Sequence, residues 1–188
     1  PARGPTGPVI GINPGASITE HLTLTLPYRN GERLPDHAQD ALRVAVLCRH
    51  GTNNNVGRAF VKGFGLAAGA LAASVGHDSH NVCVVGADDG DMAVAVNRLI
   101  ALGGGFVAVQ GGVVLGELAL PMAGLISLDP FERVRDRLAH LRDVVRAMGC
   151  PLPEPFLQLA FLPLPVIPHL KLTDRCLVDV DRFELIAA

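Results

Sequence analysis

The sequence predicts an α/β domain, in the form of a layered α+β fold with a mixed β-sheet and two main helices. Short apolar runs rich in Val, Leu, Ile and Ala recur along the chain between Gly, Pro and Asn, and such runs are typical of strands. Two longer segments show helical periodicity together with capping residues. With 188 residues, of which 49% are apolar, the chain is long enough for one substantial core.

The first 40 residues are predicted as a short β-rich appendage. Residues 9–12 form an apolar strand that stops at an Asn-Pro-Gly turn, and residues 21–26 alternate Thr with Leu, which is the period of a half-buried strand. Residues 29–40 are polar and contain turn residues, so we expect a surface loop there. We therefore divide the chain into a β-rich segment, 1–40, and a main domain, 41–188. Whether the first segment is part of a neighbouring domain is left open.

The main domain opens with β-prone runs. Strands are expected at 42–48, around 59–62, at 69–75, at 82–85, at 106–109 and at 113–120, the last two joined by a Gly-Gly turn. A helix follows the fourth run, with Asp88 or Asp89 as its N-cap and Gly103 as its end. The predicted buried face of this helix consists of Met92, Val96, Leu99 and Ile100.

A second helix is predicted over residues 130–148. Asp129 is its expected N-cap, Pro130 its first helical residue, and Glu132 completes a capping box. Its apolar stripe consists of Phe131, Val134, Leu138, Leu141, Val145 and Met148. The arginines on the other faces alternate with acids and no aromatic residues accompany them, which favours a solvated face over a nucleic-acid surface.

The segment after this helix is rich in proline. Six prolines fall within residues 151–168, so most of that segment is expected to be extended or irregular. Residues 156–162 between them are expected to form a short strand. Residues 170–180 are expected to contain a turn and to end in another short strand.

Net charge, apolar runs and cysteine spacing indicate which partners and which cellular compartment to expect. The formal charge is −2 at pH 7 and there is no polybasic run, so no nucleic-acid partner is expected. No apolar run approaches the roughly 20 residues of a membrane-spanning helix. Four widely spaced cysteines predict reduced structural thiols rather than disulfides, and these are Cys48, Cys83, Cys150 and Cys176. We expect a cytoplasmic location, and a chain that is a piece of a longer protein.

The densest polar chemistry lies at residues 74–81, which read S-V-G-H-D-S-H-N between two apolar runs. Imidazoles bind metals or move protons near neutral pH, so His77, Asp78 and His80 are the candidate catalytic residues. Ser79 and Asn81 are candidates for binding substrate. Three interpretations remain open: a polar loop tip that caps backbone groups, a metal site, and a loop that contacts substrate or a neighbouring domain.

Other motifs that would identify a catalytic site are absent from the sequence. There is no HxH, no HExxH and no G-x-S-x-G, and the zinc-deaminase signature H-x-E…P-C-x-x-C does not occur. The glycines at 103–105 follow a helix and precede a strand, the reverse of a dinucleotide-binding fingerprint. Catalytic metal sites usually have three protein ligands, and no third ligand stands at a telling distance from the histidine pair. No metal ligand is therefore assigned.

Several strings stand out along almost the whole chain. They are I-G-I-N-P-G-A-S-I-T-E-H-L at 10–22, R-H-G-T-N-N-N-V-G at 49–57, the whole of 60–86, D-M-A-V-A-V-N-R-L at 91–99, L-A-L-P-M-A-G-L-I-S at 118–127, and F-L-P-L-P-V-I-P-H-L-K-L-T-D-R-C-L-V-D-V at 161–180. Together and in this order they resemble one family, the C-terminal domain of the adenine deaminases of the amidohydrolase superfamily. The departures are small, such as Gly76 where the family usually has Ala.

The resemblance implies hydrolytic deamination of adenine to hypoxanthine and ammonia. In the superfamily a metal-bound hydroxide attacks the purine carbon that bears the amino group, and the resemblance implies a divalent metal, manganese or iron, in the full enzyme. The ligands normally lie in an N-terminal barrel with an HxH pair, and this chain is too short for a barrel of about 250 residues. The implied partners are therefore that barrel, adenine, and further copies in a homo-oligomer.

Within this resemblance the chain alone is expected to be inactive, and the 77–81 loop is expected to assist a site whose metals lie elsewhere. It would enclose the substrate or orient a proton-shuttling group. Two alternatives stay open. The first is a non-catalytic structural or oligomerisation module, and the second is a small metal-binding domain that uses His77 and His80.

Overall fold

The computed structural model of the chain describes residues 4–186, which form three sheets and three α-helices. The strands are β1 (Thr6–Ile12), β2 (Thr19–Thr25), β3 (Tyr28–Arg29), β4 (Glu32–Arg33), β5 (Ala41–Leu47), β6 (Val56–Lys62), β7 (Ala70–Ala73), β8 (Val82–Gly86), β9 (Gly105–Gln110), β10 (Val113–Ala119), β11 (Leu170–Leu172), β12 (Leu177–Asp179) and β13 (Glu184–Ile186). The helices are α1 (Asp89–Ala101), α2 (Phe131–Ala147) and α3 (Pro155–Phe161).

Eight strands build the main sheet in the order β10-β9-β7-β8-β5-β6-β1-β2. Only β1 and β6 pair in parallel within it, so the sheet is mixed, as predicted. Its central strands β7 and β8 are buried along their whole length because helices cover both faces. α1 packs on one face, and α2 and α3 pack on the other. The predicted α/β fold class is confirmed.

The first 40 residues supply the far edge of this sheet. β1 pairs with β2 on one side and with β6 on the other, which joins the β-rich segment to strands of the main domain. Within the polar stretch predicted as a loop, β3 and β4 form a hairpin and residues His37–Gln39 form a 3₁₀ turn. The hairpin forms because Asn30 and Gly31 both take positive φ, at 54° and 84°, as a two-residue turn requires. The division of the chain at residue 40 stays a prediction, and residues 1–3 and 187–188 of its two ranges lie outside the described residues.

α1 begins as predicted. The carboxylate of Asp88 accepts a hydrogen bond from the backbone N–H of Asp91 at 2.9 Å, so Asp88 is the N-cap. Met92 and Leu99 are buried, but Ile100 is 66% exposed, so the predicted face was too wide by this residue. Ile100 follows Leu99 by 100° around the helix, which turns its side chain away from the sheet.

α2 begins one residue later than predicted, and its capping box was wrong. Pro130 is the N-cap, with φ −56° and ψ 150°, and no side chain caps the helix. The carboxylate of Asp129 instead pairs with the guanidinium groups of Arg133 at 3.3 Å and Arg137 at 3.4 Å. Because the extended ψ of Pro130 places it outside the helix, Asp129 is too far back to cap the first turn. The predicted stripe also fails at its start, where Phe131 is 74% exposed.

The segment 156–162, predicted as a short strand, is instead largely the helix α3. Pro155 occupies its first turn, where a missing N–H costs nothing and the fixed φ suits a helix. Phe156, Leu159 and Ala160 are buried together, three to four residues apart, and the Phe156 ring packs 4.9 Å from that of Phe106. A short apolar run does not distinguish a strand from a buried helix. None of the helices in residues 4–186 is long and apolar enough to cross a membrane.

Candidate functional site

The predicted cluster at 74–81 forms the connection between the neighbouring antiparallel strands β7 and β8. The backbone N–H of His80 donates to the carbonyl of Gly76 at 2.6 Å, and His80 itself takes a positive φ of 50°. An added Cβ at Gly76 would lie 2.8 Å from the Sγ of Cys83, so in this chain a larger residue there requires its neighbours to shift. The tight turn therefore places two histidines and an aspartate at one end of the sheet.

The residues at the two ends of this stretch are buried and hold the backbone together. Ser74 is 1% exposed, and its hydroxyl donates to the carbonyl of Gly124 at 2.6 Å and accepts from the N–H of Gly105 at 2.8 Å. Asn81 is 4% exposed, and its Oδ1 accepts from the N–H of Arg49 at 3.3 Å. The predicted contact of Asn81 with substrate stays a prediction.

His77 is fixed by the end of α3. Its backbone N–H donates to the carbonyl of Ala160 at 2.8 Å, and its ring stacks on Phe161 with a centroid distance of 4.9 Å. Nδ1 of His77 lies 4.0 Å from the carboxylate of Asp78, whose side chain is 82% exposed. The imidazole of His77 is thus held against the Phe161 ring, while the carboxylate of Asp78 is accessible to a partner or a substrate.

The surroundings of His80 alter the pKa of its imidazole. Its ring centroid lies 5.7 Å from that of His77, and its Nδ1 is buried without a hydrogen-bond partner among residues 4–186. Burial lowers the pKa of His80, and the electrostatic influence of the neighbouring His77 and Arg49 side chains lowers it further. The lowered pKa favours the neutral imidazole at pH 7, while its Nδ1 stays shielded from solvent.

Two further residues of the site, Arg49 and His50, were not predicted. The Arg49 guanidinium donates through Nε to the carbonyl of His80 and through Nη2 to the carbonyl of Ala123 at 2.7 Å. Nε2 of His50 donates to the carbonyl of Ser79 at 2.6 Å. Ser79 is itself exposed, so its predicted role in binding substrate stays a prediction. Arg49 therefore ties the 77–81 loop to the segment around residue 123.

Strand pairing brings these residues together. Leu47, the last residue of β5, lies opposite Val82, the first residue of β8. The loop that follows β5 therefore meets the loop that precedes β8. The sequence contained one signal, because the string R-H-G-T-N-N-N follows directly on a predicted strand. Finding its partner would have required the order of strands in the sheet.

An apolar rim borders the polar loops. It consists of Met122, Ile126, Leu128 and Phe131, which are 50%, 55%, 70% and 74% exposed. Met122 and Ile126 pair through their backbones beside Ala123, which accepts from Arg49. Four large exposed apolar side chains within ten residues of each other are typical of a surface that contacts another part of a protein.

The histidine pair does not fit a metal ion. Among the described residues no group of three His, Cys, Asp or Glu side chains is placed to hold a metal. The carboxylate of Asp78 lies 4.0 Å from Nδ1 of His77, and the two imidazole centroids are 5.7 Å apart. Three ligands at about 2.0–2.2 Å from one ion are what a catalytic zinc-type site requires. The alternative of a small metal-binding domain that uses His77 and His80 is therefore not favoured.

Comparison with known proteins identifies the family. A family model described as "Adenine deaminase C-terminal domain" matches residues 16–184. The chain is 65% identical over 185 residues to an adenine deaminase of Methylobacterium nodulans, covering 98% of this chain and 33% of that protein. It is 61% identical over 178 residues to one of Sinorhizobium fredii, covering 95% and 32%. The chain thus spans about a third of the length of these relatives, and it belongs to the adenine deaminase C-terminal domain family.

Proposed function

We propose that this chain is the C-terminal third of an enzyme that hydrolyses adenine to hypoxanthine and ammonia, a step of purine metabolism in the cytoplasm. Its relatives at 61–65% identity are named adenine deaminases, and each is about three times as long as the matched region. The remaining two thirds have room for the N-terminal amidohydrolase barrel. We propose that this barrel is the chain's main partner and that the complete protein is a homo-oligomer.

We propose further that the complete enzyme uses a divalent metal, manganese or iron, bound by residues outside this chain. The support is that the histidines of the 77–81 loop do not form a three-ligand site. No step of the reaction is therefore assigned to a metal held by this domain. Adding metal to the purified chain is expected to yield no adenine turnover. Turnover would contradict the proposal that the metal is bound by residues outside this chain.

The proposed role of the 77–81 loop is to complete the substrate enclosure at the junction with the barrel. The observation that carries this role is the bridge made by Arg49, which holds the histidine loop and the apolar rim as one surface. The rim supplies the apolar area with which the barrel makes contact. His80 then presents a neutral imidazole to the junction, and Asp78 presents an exposed carboxylate.

A neutral imidazole is suited to accepting or donating a proton or a hydrogen bond near pH 7. The low pKa of His80 keeps this neutral form populated to lower pH than for an ordinary histidine. His77, stacked on Phe161, borders it on one side. The loop therefore assists by orienting and exchanging protons with groups that lie outside this chain.

The test is steady-state kinetics of the complete enzyme carrying His77→Ala, His80→Ala or both. We expect His80→Ala to lower kcat/KM by at least about tenfold, which corresponds to roughly 1.4 kcal/mol of transition-state stabilisation. His140→Ala is the matched control, because His140 is an exposed histidine of α2 outside the loop. The acidic limb of the pH–rate profile should also change for His80→Ala alone. Unchanged kcat and KM in a folded double variant would leave the loop with a purely structural role.

A further inference from the structure

One face of the large sheet is left partly uncovered. α1 packs over β7, β8 and β9, while at the other side Arg33 of β4 lies against Gly7 of β1 and 5.7 Å above the Phe60 ring of β6. Between these two walls lies a groove of about 800 Å³. Its apolar lining includes Ala45, Leu47, Val56, Val84, Met92 and Val96. This volume lies within the range of about 300–1,000 Å³ that is typical of small-molecule sites.

Three arginines line the same groove. On the groove face, Arg58 of β6 lies opposite Ala45 of β5, and Arg43 lies opposite Phe60, so both side chains rise from the floor. Arg43 pairs with Asp89 at 3.3 Å, whereas Arg58 has no ion pair within residues 4–186. Arg33 forms part of the hairpin wall. Because Glu32 and Asp89 are the acids of the lining, the groove carries a net positive charge.

Arg33 is the unusual member of the three. It is only 7% exposed, and its Nε and Nη1 are buried without a hydrogen-bond partner in the described part of the chain. An added Cβ at Gly7 would overlap Nη1, so the guanidinium is wedged against the backbone of β1. The ring of Phe60 gives it a cation–π contact but no counter-charge. A buried guanidinium without a carboxylate is costly unless an anion compensates for its charge.

We propose that this groove binds a small organic oxyanion, a phosphate or carboxylate group attached to a flat apolar body. The apolar body lies on the floor formed by β5 and β6, and Arg58, which is exposed, donates hydrogen bonds to the oxyanion. The buried charge of Arg33 favours the anion electrostatically. The side-chain amides of Asn30 and Asn97 line the opposite walls, where each offers both a donor and an acceptor to polar edges of the ligand.

The groove lies on the face of the sheet that α1 covers, whereas the proposed catalytic surface is made by loops at the end of the strands. The proposal therefore concerns a second site and is independent of adenine turnover. Binding is measured directly by titration calorimetry on the complete protein. The probes are adenosine monophosphate, adenosine, inorganic phosphate and benzoate.

We expect adenosine monophosphate or benzoate to bind, and the better of the two identifies the oxyanion as phosphate or carboxylate. Adenosine, without the anion, and phosphate, without the apolar body, should each bind at least tenfold more weakly than the better of these two ligands. Arg58→Gln should weaken binding by about tenfold to a hundredfold, as expected for loss of a charge-assisted hydrogen bond. Arg175→Gln is the charge-matched control, because Arg175 lies in an exposed turn outside the groove.

Three results would overturn the proposal. The first is the absence of binding by every probe at millimolar concentration. The second is binding that Arg58→Gln leaves unchanged. The third is hydrogen exchange at β4 and β6 that is slower in the complete protein than in this chain alone, both measured without ligand. Slower exchange would show that another part of the complete protein already covers the groove. Arg58→Gln leaves the core of the sheet intact, since its side chain is exposed, so failure to fold is not a concern for this variant.

Discussion

Ser74 offers the sharpest test of how the site is built. Its hydroxyl joins the end of β7 to the start of β9 and to Gly124, through one donated and one accepted hydrogen bond at 2.6 Å and 2.8 Å. Ser74→Ala removes both bonds while leaving the Cβ in place. The N–H of Gly105 and the carbonyl of Gly124 are then left without these partners in a buried environment.

The magnitude follows from these two groups. Leaving a buried donor or acceptor unsatisfied costs about 1–3 kcal/mol, so the two together predict a loss of roughly 2–6 kcal/mol in the free energy of unfolding. In a chain of this size each kcal/mol lowers Tm by about 2–4 °C, which predicts a fall of roughly 4–24 °C. The segment around Gly124 should also lose protection from hydrogen exchange, because the Ser74 hydroxyl, like Arg49, is hydrogen-bonded to its backbone.

The assay is urea unfolding of the wild-type chain, Ser74→Ala and the matched control Ser79→Ala, with hydrogen exchange read at residue 105. Ser79 lies in the same loop but is exposed, so its removal should change stability by less than about 0.5 kcal/mol. Equal unfolding free energies for Ser74→Ala and the wild type would refute the reasoning. They would show that the three segments are held together without this hydroxyl.

Three other changes test neighbouring features. Gly76→Ala should destabilise the chain by about 1–3 kcal/mol in urea unfolding, since its Cβ would meet the Sγ of Cys83 at 2.8 Å; a neutral result would mean that the loop relaxes freely. The carboxylate of Asp91 accepts hydrogen bonds from the two backbone N–H groups of the β9–β10 turn at 2.9 Å and 2.6 Å. Asp91→Ala should therefore lower the free energy of unfolding by about 1–3 kcal/mol and speed amide exchange in that turn. Unchanged exchange there would argue against this contact. His80 has a lowered pKa in the folded chain, so the folded state resists protonation; stability should fall as pH drops below the unfolded value of about 6.5 and level off below the folded pKa. His80→Asn should remove that part of the pH dependence, and an unchanged profile would contradict the burial of this imidazole.

Local sequence signals predicted the elements whose stabilising contacts lie within a few residues. Asp88 caps α1 by accepting from a backbone N–H three residues ahead, and this contact is visible in the order of residues alone. The Asn30-Gly31 and Gly111-Gly112 pairs mark turns for the same reason, because the conformation each requires is local. The family resemblance, carried by strings along the whole chain, is also confirmed by the match to residues 16–184.

Predictions failed where distant contacts decide the conformation. The segment that became α3 has an apolar run short enough for a strand, and packing of Phe156 against Phe106 accompanies its helical form. At α2, Asp129 has the right spacing for a cap, but the extended backbone of Pro130 excludes it from the first turn. Periodicity alone does not distinguish these outcomes.

The candidate site divides in the same way. The order of residues was enough to identify the family and to place the histidine loop between two strands. Only the tertiary structure showed that Arg49 and His50 belong beside His80, because β5 pairs with β8 although 34 residues separate the end of one from the start of the other. It also showed that Ser74 and Asn81, at the two ends of this loop, are buried and hydrogen-bonded to neighbouring segments. The physical reason is that hydrogen bonds between neighbouring strands join residues far apart along the chain, and sequence spacing carries no record of which strands become neighbours.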